Sequence, residues 1–210
     1  MERVRVKICG VRTVDDVRVA VEAGADAVGL NFHPPSPRFV DLDTAATVVR
    51  SVPPFVEAVG VFVNATSADM QSVAARLGLR SVQWHGDAGP PREEVRPYAL
   101  VPAYRVQSRE DLRTIVDHVK CSHFAAVLVD AHVSGEYGGT GHTAPWNLLA
   151  DFDPGVPLIL AGGLTPENVA EAIRLVRPYA VDVASGVESS PGVKDADKVR
   201  RFLRAVRSAF

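Results

Sequence analysis

The chain of 210 residues carries only two cysteines, Cys9 and Cys121, far apart along its length. Two isolated thiols exclude a disulfide framework and the paired spacing of a zinc site. They fit a reducing compartment, so the cytoplasm is the expected location. An excess of one charge is also missing: 23 basic residues against 25 acidic ones leave a formal net charge of -2. Nothing in that balance points to nucleic acid or an acidic membrane as a partner. No apolar run approaches the roughly 20 residues of a membrane span, and the first residues lack the pattern of a secretory leader. There is no low-complexity segment and no composition break that would mark a domain boundary. Residues 1–210 therefore read as one domain, with 47% hydrophobic and 23% charged residues, ordinary for a globular protein with a sizeable core.

What is present is a regular alternation. Val4–Cys9 is a strand-like run, and "TVDDVRVAVEAG" places Val14, Val17, Ala20 and Val21 on one helical face before Gly24 ends it. "DAVGLNF" is a second strand, followed by the helix "TAATVVRSV", which Pro53 and Pro54 halt. "VEAVGVFV" is a third strand; the helix after it has Ser67 as its expected N-cap and Gly78 as its stop. "SVQWH" is a fourth strand, with a short helix expected near Pro91–Arg96. "ALVPAYRV" leads into a helix opened by Ser108 and Asp111 as a capping pair. "AAVLVD" leads into a Gly-rich loop and a helix from about Ala144 to Ala150. "VPLILAG" precedes "TPENVAEAIRLV", where cap, first-turn proline and the Val169–Ile173–Val176 face mark a helix. "AVDVASG" is the eighth strand, and the chain closes on an amphipathic helix with Val199, Phe202, Leu203 and Val206 on its apolar side. Continuous apolar strands imply a parallel sheet buried on both faces. Eight strand–helix units close most economically into a (β/α)8 TIM barrel, for which this chain is short but long enough. An open doubly wound sheet is the rival, and "CGVRT" lacks the glycine fingerprint of its nucleotide turn.

In such a barrel chemistry sits at the C-terminal ends of the strands. Cys9 ends strand one and Asp130 ends strand six. A base and an acid across one small cavity suit proton transfer at neighbouring atoms of a substrate; alternatively, Cys9 is core packing and Asp130 caps the following loop. Gly162 and Gly163 follow strand seven, and Ser185 and Gly186 follow strand eight. Loops at those two positions frequently bind phosphate through backbone N–H groups. Arg38 sits in "HPPSPRFV", a loop stiffened by Pro34, Pro35 and Pro37, where a guanidinium suits a carboxylate. His85 ends strand four, as a ligand contact or as wall. The remaining histidines, His33, His118, His123, His132 and His142, show no metal-ligand spacing. "YGGTG", Tyr137 to Gly141, reads as a lid or simply a loose loop, and Cys121 as core packing before strand six.

"KICG", "NFHPPSPRFV", "VGVFVN", "QWHG", "LVD" with "GGTG", "AGGLTPENV" and "VDVASGVESSPGVKD" occur in this order from residue 6 to about residue 198. Together they resemble the phosphoribosylanthranilate isomerase family of tryptophan biosynthesis. The resemblance implies an Amadori rearrangement of N-(5-phosphoribosyl)anthranilate to 1-(2-carboxyphenylamino)-1-deoxyribulose 5-phosphate. It implies Asp130 as general acid at the furanose ring oxygen and Cys9 as general base at ribose C2. Arg38 would face the anthranilate carboxylate and Asp182 the sugar, with the phosphate on Gly162, Gly163, Ser185 and Gly186. It implies no metal or organic cofactor and a small phosphorylated substrate; composition gives no nucleic acid and no membrane as partner, and monomer and homodimer both remain open. Two positions depart from the family pattern: Ala184 stands for the first serine of "SSGVE", and Trp84 stands in a motif more often "QLHG". A thiol must ionise from an ordinary value of about 8.5 to serve as base, and burial opposes that unless a cation or helix N-terminus compensates. Two rivals remain. The related isomerase of histidine biosynthesis carries an aspartate in place of Cys9 and a second phosphate site, for which strands three and four lack the glycine pair. A catalytically silent phosphate-binding barrel would not need Cys9, Asp130 and Arg38 together.

Overall fold

A computed structural model describes residues 3–86, 89–91, 95–131 and 146–209. Eight parallel strands close into a barrel in sequence order. They are β1 (Arg5–Cys9), β2 (Ala27–Asn31), β3 (Glu57–Val63), β4 (Ser81–His85), β5 (Ala99–Arg105), β6 (Val127–Asp130), β7 (Leu158–Ala161) and β8 (Ala180–Val183). Closure is made by β1 on β8, with Lys7 opposite Asp182. The helices are α1 (Val14–Ala23), α2 (Leu42–Arg50), α3 (Ser67–Leu77), α4 (Arg109–Cys121), α5 (Trp146–Leu149), α6 (Val169–Val176) and α7 (Ala196–Arg207). A two-stranded hairpin, β9 (Glu188–Ser190) and β10 (Val193–Lys194), interrupts the path from β8 to α7. Sequence pattern does not anticipate it, because a three-residue strand beside a two-residue one carries no periodicity to read.

The alternation of each strand sorts its residues. Val6 and Ile8 of β1 point outward into the large core between sheet and helices, which also takes in Val199, Phe202, Leu203 and Val206 of α7. Lys7 and Cys9, at the alternate positions, face the barrel interior. A smaller apolar cluster of Val101, Ala103, Ala126, Leu128 and Ala161 fills the β5–β7 side of that interior.

Helix termini follow local chemistry with three departures. Ser108 and Asp111 form a reciprocal capping box on α4. On α3 the cap is Thr66 rather than Ser67: the Thr66 hydroxyl accepts from Asp69 N–H, and Ser67 is already helical and buried. α6 begins at Val169, later than the proline signal implies. Thr165 instead caps a turn, accepting from Glu167 N–H through its hydroxyl while its own N–H donates to Asn168 Oδ1. Cys121 is the exposed last residue of α4, not core before β6. Of the helix expected near Pro91–Arg96, residues 92–94 lie outside the described residues and Pro91, Val95 and Arg96 are not helical; the loop Tyr137–Gly141 lies wholly outside them, as do His132, His142 and Ala144. No helix among the described residues is long and apolar enough to cross a membrane.

Candidate active site

Alternation puts Cys9, His85, Asp130 and Asp182 at or near the C-terminal ends of β1, β4, β6 and β8, facing inward. They line one cavity of about 310 Å³ together with Arg38, Gly162, Gly163 and Ser185. Gly186 does not line it. A Cβ there would lie 1.9 Å from the Leu164 carbonyl oxygen, so Gly186 brings the turn after β8 onto the loop after β7. Gly162 and Gly163 have φ of +90° and +63°, conformations that a side chain resists. The Ser185–Val187 segment is a single 3-10 turn. A second cavity of about 520 Å³ adjoins the first and shares His85 and Asp130. Trp84 lines only that second space, its indole donating to the Ala65 carbonyl at 3.2 Å.

Four groups in or beside the site receive no role from the sequence, although Lys7, Gln83 and Glu188 lie within "KICG", "QWHG" and "VDVASGVESSPGVKD". Lys7 is 5% exposed and donates to Asp182 Oδ1 at 2.9 Å. Gly29 is opposite Cys9 on β2. A Cβ on Gly29 would stand 2.9 Å from Lys7 Nζ and 3.1 Å from Cys9 Sγ. Ammonium and sulfur thus share the room that the missing side chain leaves. Gln83, buried on β4, has its amide nitrogen 2.7 Å from His85 Nε2, so that ring nitrogen accepts. Glu188, in the hairpin, takes both Arg38 Nε (2.8 Å) and Nη2 (2.7 Å), and also Lys194 Nζ (2.8 Å). The bidentate grip expected of Arg38 toward a ligand is therefore already spent on a protein carboxylate. Arg38 nonetheless lines the cavity and carries more N–H donors than those two bonds use.

The Arg38 loop is braced by its own short bonds. Asn31 Oδ1 accepts from His33 N–H, Ser36 Oγ from Arg38 N–H, and the Asn31 carbonyl from Val40 N–H. Gly192 in the hairpin comes so close that a Cβ would meet the Pro37 carbonyl oxygen at 2.4 Å. This contact presses the hairpin onto the loop and delivers Glu188 to Arg38.

Charge in the site is arranged against burial. Burial pushes the Cys9 thiol up and Asp182 adds to the push; Lys7 and then Lys194 pull it down without reversing the sign. Burial works against the Lys7 ammonium, yet Asp182 and Cys9 outweigh it and hold the lysine above its ordinary value. Burial, with Lys7 behind it, lowers His85 and favours the neutral ring that accepts from Gln83. Burial would raise Glu188, but Arg38 and Lys194 hold it below the usual carboxylate range. No group of three His, Cys, Asp or Glu among the described residues is placed to hold a metal ion.

A closed parallel barrel with its ionisable side chains gathered at the C-terminal mouth defines the class: this is a (β/α)8 barrel enzyme. The family model for N-(5'phosphoribosyl)anthranilate (PRA) isomerase matches residues 6–205. The chain is 47% identical over 206 residues to the N-(5'-phosphoribosyl)anthranilate isomerase of Myxococcus xanthus, covering 98% of this chain and 97% of that one. It is 47% identical over 212 residues to that of Azotobacter vinelandii, covering 100% of both. Among solved structures, phosphoribosyl anthranilate isomerase from Thermotoga maritima superposes with a TM-score of 0.87 at 39% identity, covering 98% of this chain and 99% of that one. Another, in complex with reduced 1-(o-carboxyphenylamino)-1-deoxyribulose 5-phosphate, has a TM-score of 0.84 at 37% identity, covering 98% and 99%. The chain belongs to the N-(5'-phosphoribosyl)anthranilate isomerase family.

Proposed function

We propose that this barrel rearranges N-(5-phosphoribosyl)anthranilate to 1-(2-carboxyphenylamino)-1-deoxyribulose 5-phosphate, with Asp130 as general acid and Cys9 as general base. The observation that carries the assignment is the single cavity lined by both groups and by Arg38, Gly162, Gly163 and Ser185. Asp130 donates a proton to the furanose ring oxygen as the C1–O bond breaks, and the anthranilate nitrogen shares its electrons to form a protonated Schiff base. The Cys9 thiolate then takes the proton from C2. The electrons of that bond move to C1–C2 and neutralise the nitrogen, giving an enolamine. Tautomerisation, in which C1 gains a proton and the C2 hydroxyl gives up its own, leaves the ketone at C2.

The other groups orient the substrate. Backbone at Gly162 and Gly163 and the turn at Ser185 suit the phosphate. Ala184 brings no hydroxyl there; its carbonyl accepts from Lys194 at 3.1 Å. The N–H groups that Arg38 does not use on Glu188 suit the anthranilate carboxylate, and Asp182 suits a ribose hydroxyl. The experiment is the loss of fluorescence of freshly prepared phosphoribosylanthranilate on adding the protein, run beside the aminoaldose substrate of histidine biosynthesis. Turnover of the first alone is expected. Turnover of neither favours a silent phosphate-binding barrel, and turnover of the second alone would transfer the chain to the sister activity.

A further inference from the structure

We propose that Lys7 is a positioning residue for Cys9: its ammonium, held by Asp182 across the closing strand pair, lies against the Cys9 sulfur and stabilises the thiolate. The inference deepens the reading above and depends on it only for its consequence in turnover.

A lysine buried in a barrel interior is rare unless it is paired. Its partner is Asp182 Oδ1 at 2.9 Å, both side chains almost fully enclosed. That bond uses one of three N–H donors. The space beside Gly29 holds the ammonium and the sulfur together, each about 3 Å from the same point. Lys7 and Cys9 stand two apart on β1 and so share the inward face. Glycine on β2 leaves room for both; alanine would crowd them.

Other charges reach Cys9 less effectively or with the opposite sign. Asp182 on β8 opposes ionisation. Lys194 on β10 assists, more weakly than Lys7, and is clasped by Glu188 of β9. Arg38 after β2 is clasped by the same carboxylate. His85 on β4 is held toward its neutral form by burial and by Lys7 itself. Asp130 on β6 lines the same cavity and, when ionised, opposes a second negative charge. Lys7 is thus the cation best placed to offset burial at the thiol. A purely structural Lys7–Asp182 pair would affect folding and leave the sulfur's titration where it is.

The test reads the sulfur without requiring turnover. In the full chain with the exposed Cys121 changed to Ser, the rate of Cys9 alkylation by iodoacetamide is followed against pH by mass spectrometry of its peptide. Lys7→Met leaves Asp182 buried without its cation, so the same change is also made on Asp182→Asn, where no stranded carboxylate remains. The alkylation midpoint is expected to rise by about one pH unit or more in each comparison, the usual effect of removing an adjacent opposite charge. Lys7→Arg is expected to recover most of it. In kinetics the alkaline limb of the Lys7→Met profile should move up, and the plateau should fall by the same factor, roughly tenfold per unit. Unmoved midpoints in both comparisons would overturn the proposal, even if Lys7→Met lost activity. Wild-type turnover in Cys9→Ser would instead remove Cys9 as base while leaving the alkylation result intact.

Discussion

Arg38 and Glu188, 150 residues apart, meet fork to fork at 2.8 and 2.7 Å. The carboxylate holds the guanidinium plane, so Arg38 meets a ligand already oriented rather than ordering itself on binding. Lys194 on the same carboxylate and Lys198 Nζ on the Glu188 carbonyl (2.6 Å) fix the holder in turn.

Arg38→Lys should therefore raise KM by about tenfold or more with a smaller change in kcat, because a point charge keeps neither fork. Glu188→Gln should do the same more mildly, since the amide supports one donor contact and not two. Steady-state fluorescence kinetics check both; an unchanged KM in Arg38→Lys removes the arginine from the carboxylate.

Glu188→Ala should destabilise the fold by about 3–5 kcal/mol, the usual cost of stranding a buried charge, here the enclosed Lys194 ammonium. Burial raises Glu188, but Arg38 and Lys194 overcome it and leave the folded-state value depressed. A depressed carboxylate contributes stability above its unfolded value and loses it as pH falls through the folded one. Melts from pH 7 to pH 3 should show the difference between wild type and Glu188→Gln narrowing at the acid end. A constant difference would contradict the sign.

Only enzyme with Asp130 protonated and Cys9 ionised reacts, so kcat/KM should fall at both ends of the pH range. Because the thiol titrates above a carboxyl, the alkaline limb belongs to Cys9. Burial and then Asp182 raise that thiol, with Lys7 only partly offsetting them. The limb should therefore lie above the ordinary thiol value of about 8.5. A profile flat from acid to alkali would contradict the protonation pattern.

Gly186→Ala should weaken phosphate-dependent binding while sparing the acid–base pair. The new Cβ would sit 1.9 Å from backbone that cannot swing aside, so the turn after β8 must lift from the loop after β7. The expected outcome is a raised KM and weaker competition by inorganic phosphate, with a stability loss of about 1–3 kcal/mol typical of overpacking. Unchanged competition by phosphate would place the anion elsewhere.

The barrel was legible because Val-rich strands, caps and glycine stops repeat eight times, and the strand-end rule then picks out Cys9, His85 and Asp130. Lys7 was not, since one lysine inside an apolar strand looks alike whether it faces solvent or a carboxylate on the closing strand. Its partner is 175 residues away, and only closure brings them together. Glu188 escaped for the same reason: nothing local ties the hairpin to the Arg38 loop. Ser67 and Cys121 misread because residue type alone does not tell the cap from the first helical residue, or a packed thiol from one at a helix end.

The central claim is that one thiol and one carboxyl move the two protons. It is tested by single turnover of fresh phosphoribosylanthranilate with Cys9→Ser, Asp130→Asn and the double variant. Each single change should slow turnover by about 10²–10⁴, and the double variant by far less than the product, as residues acting on one reaction coordinate do. Either single variant turning over within a few-fold of wild type, with its fold intact, would contradict the account.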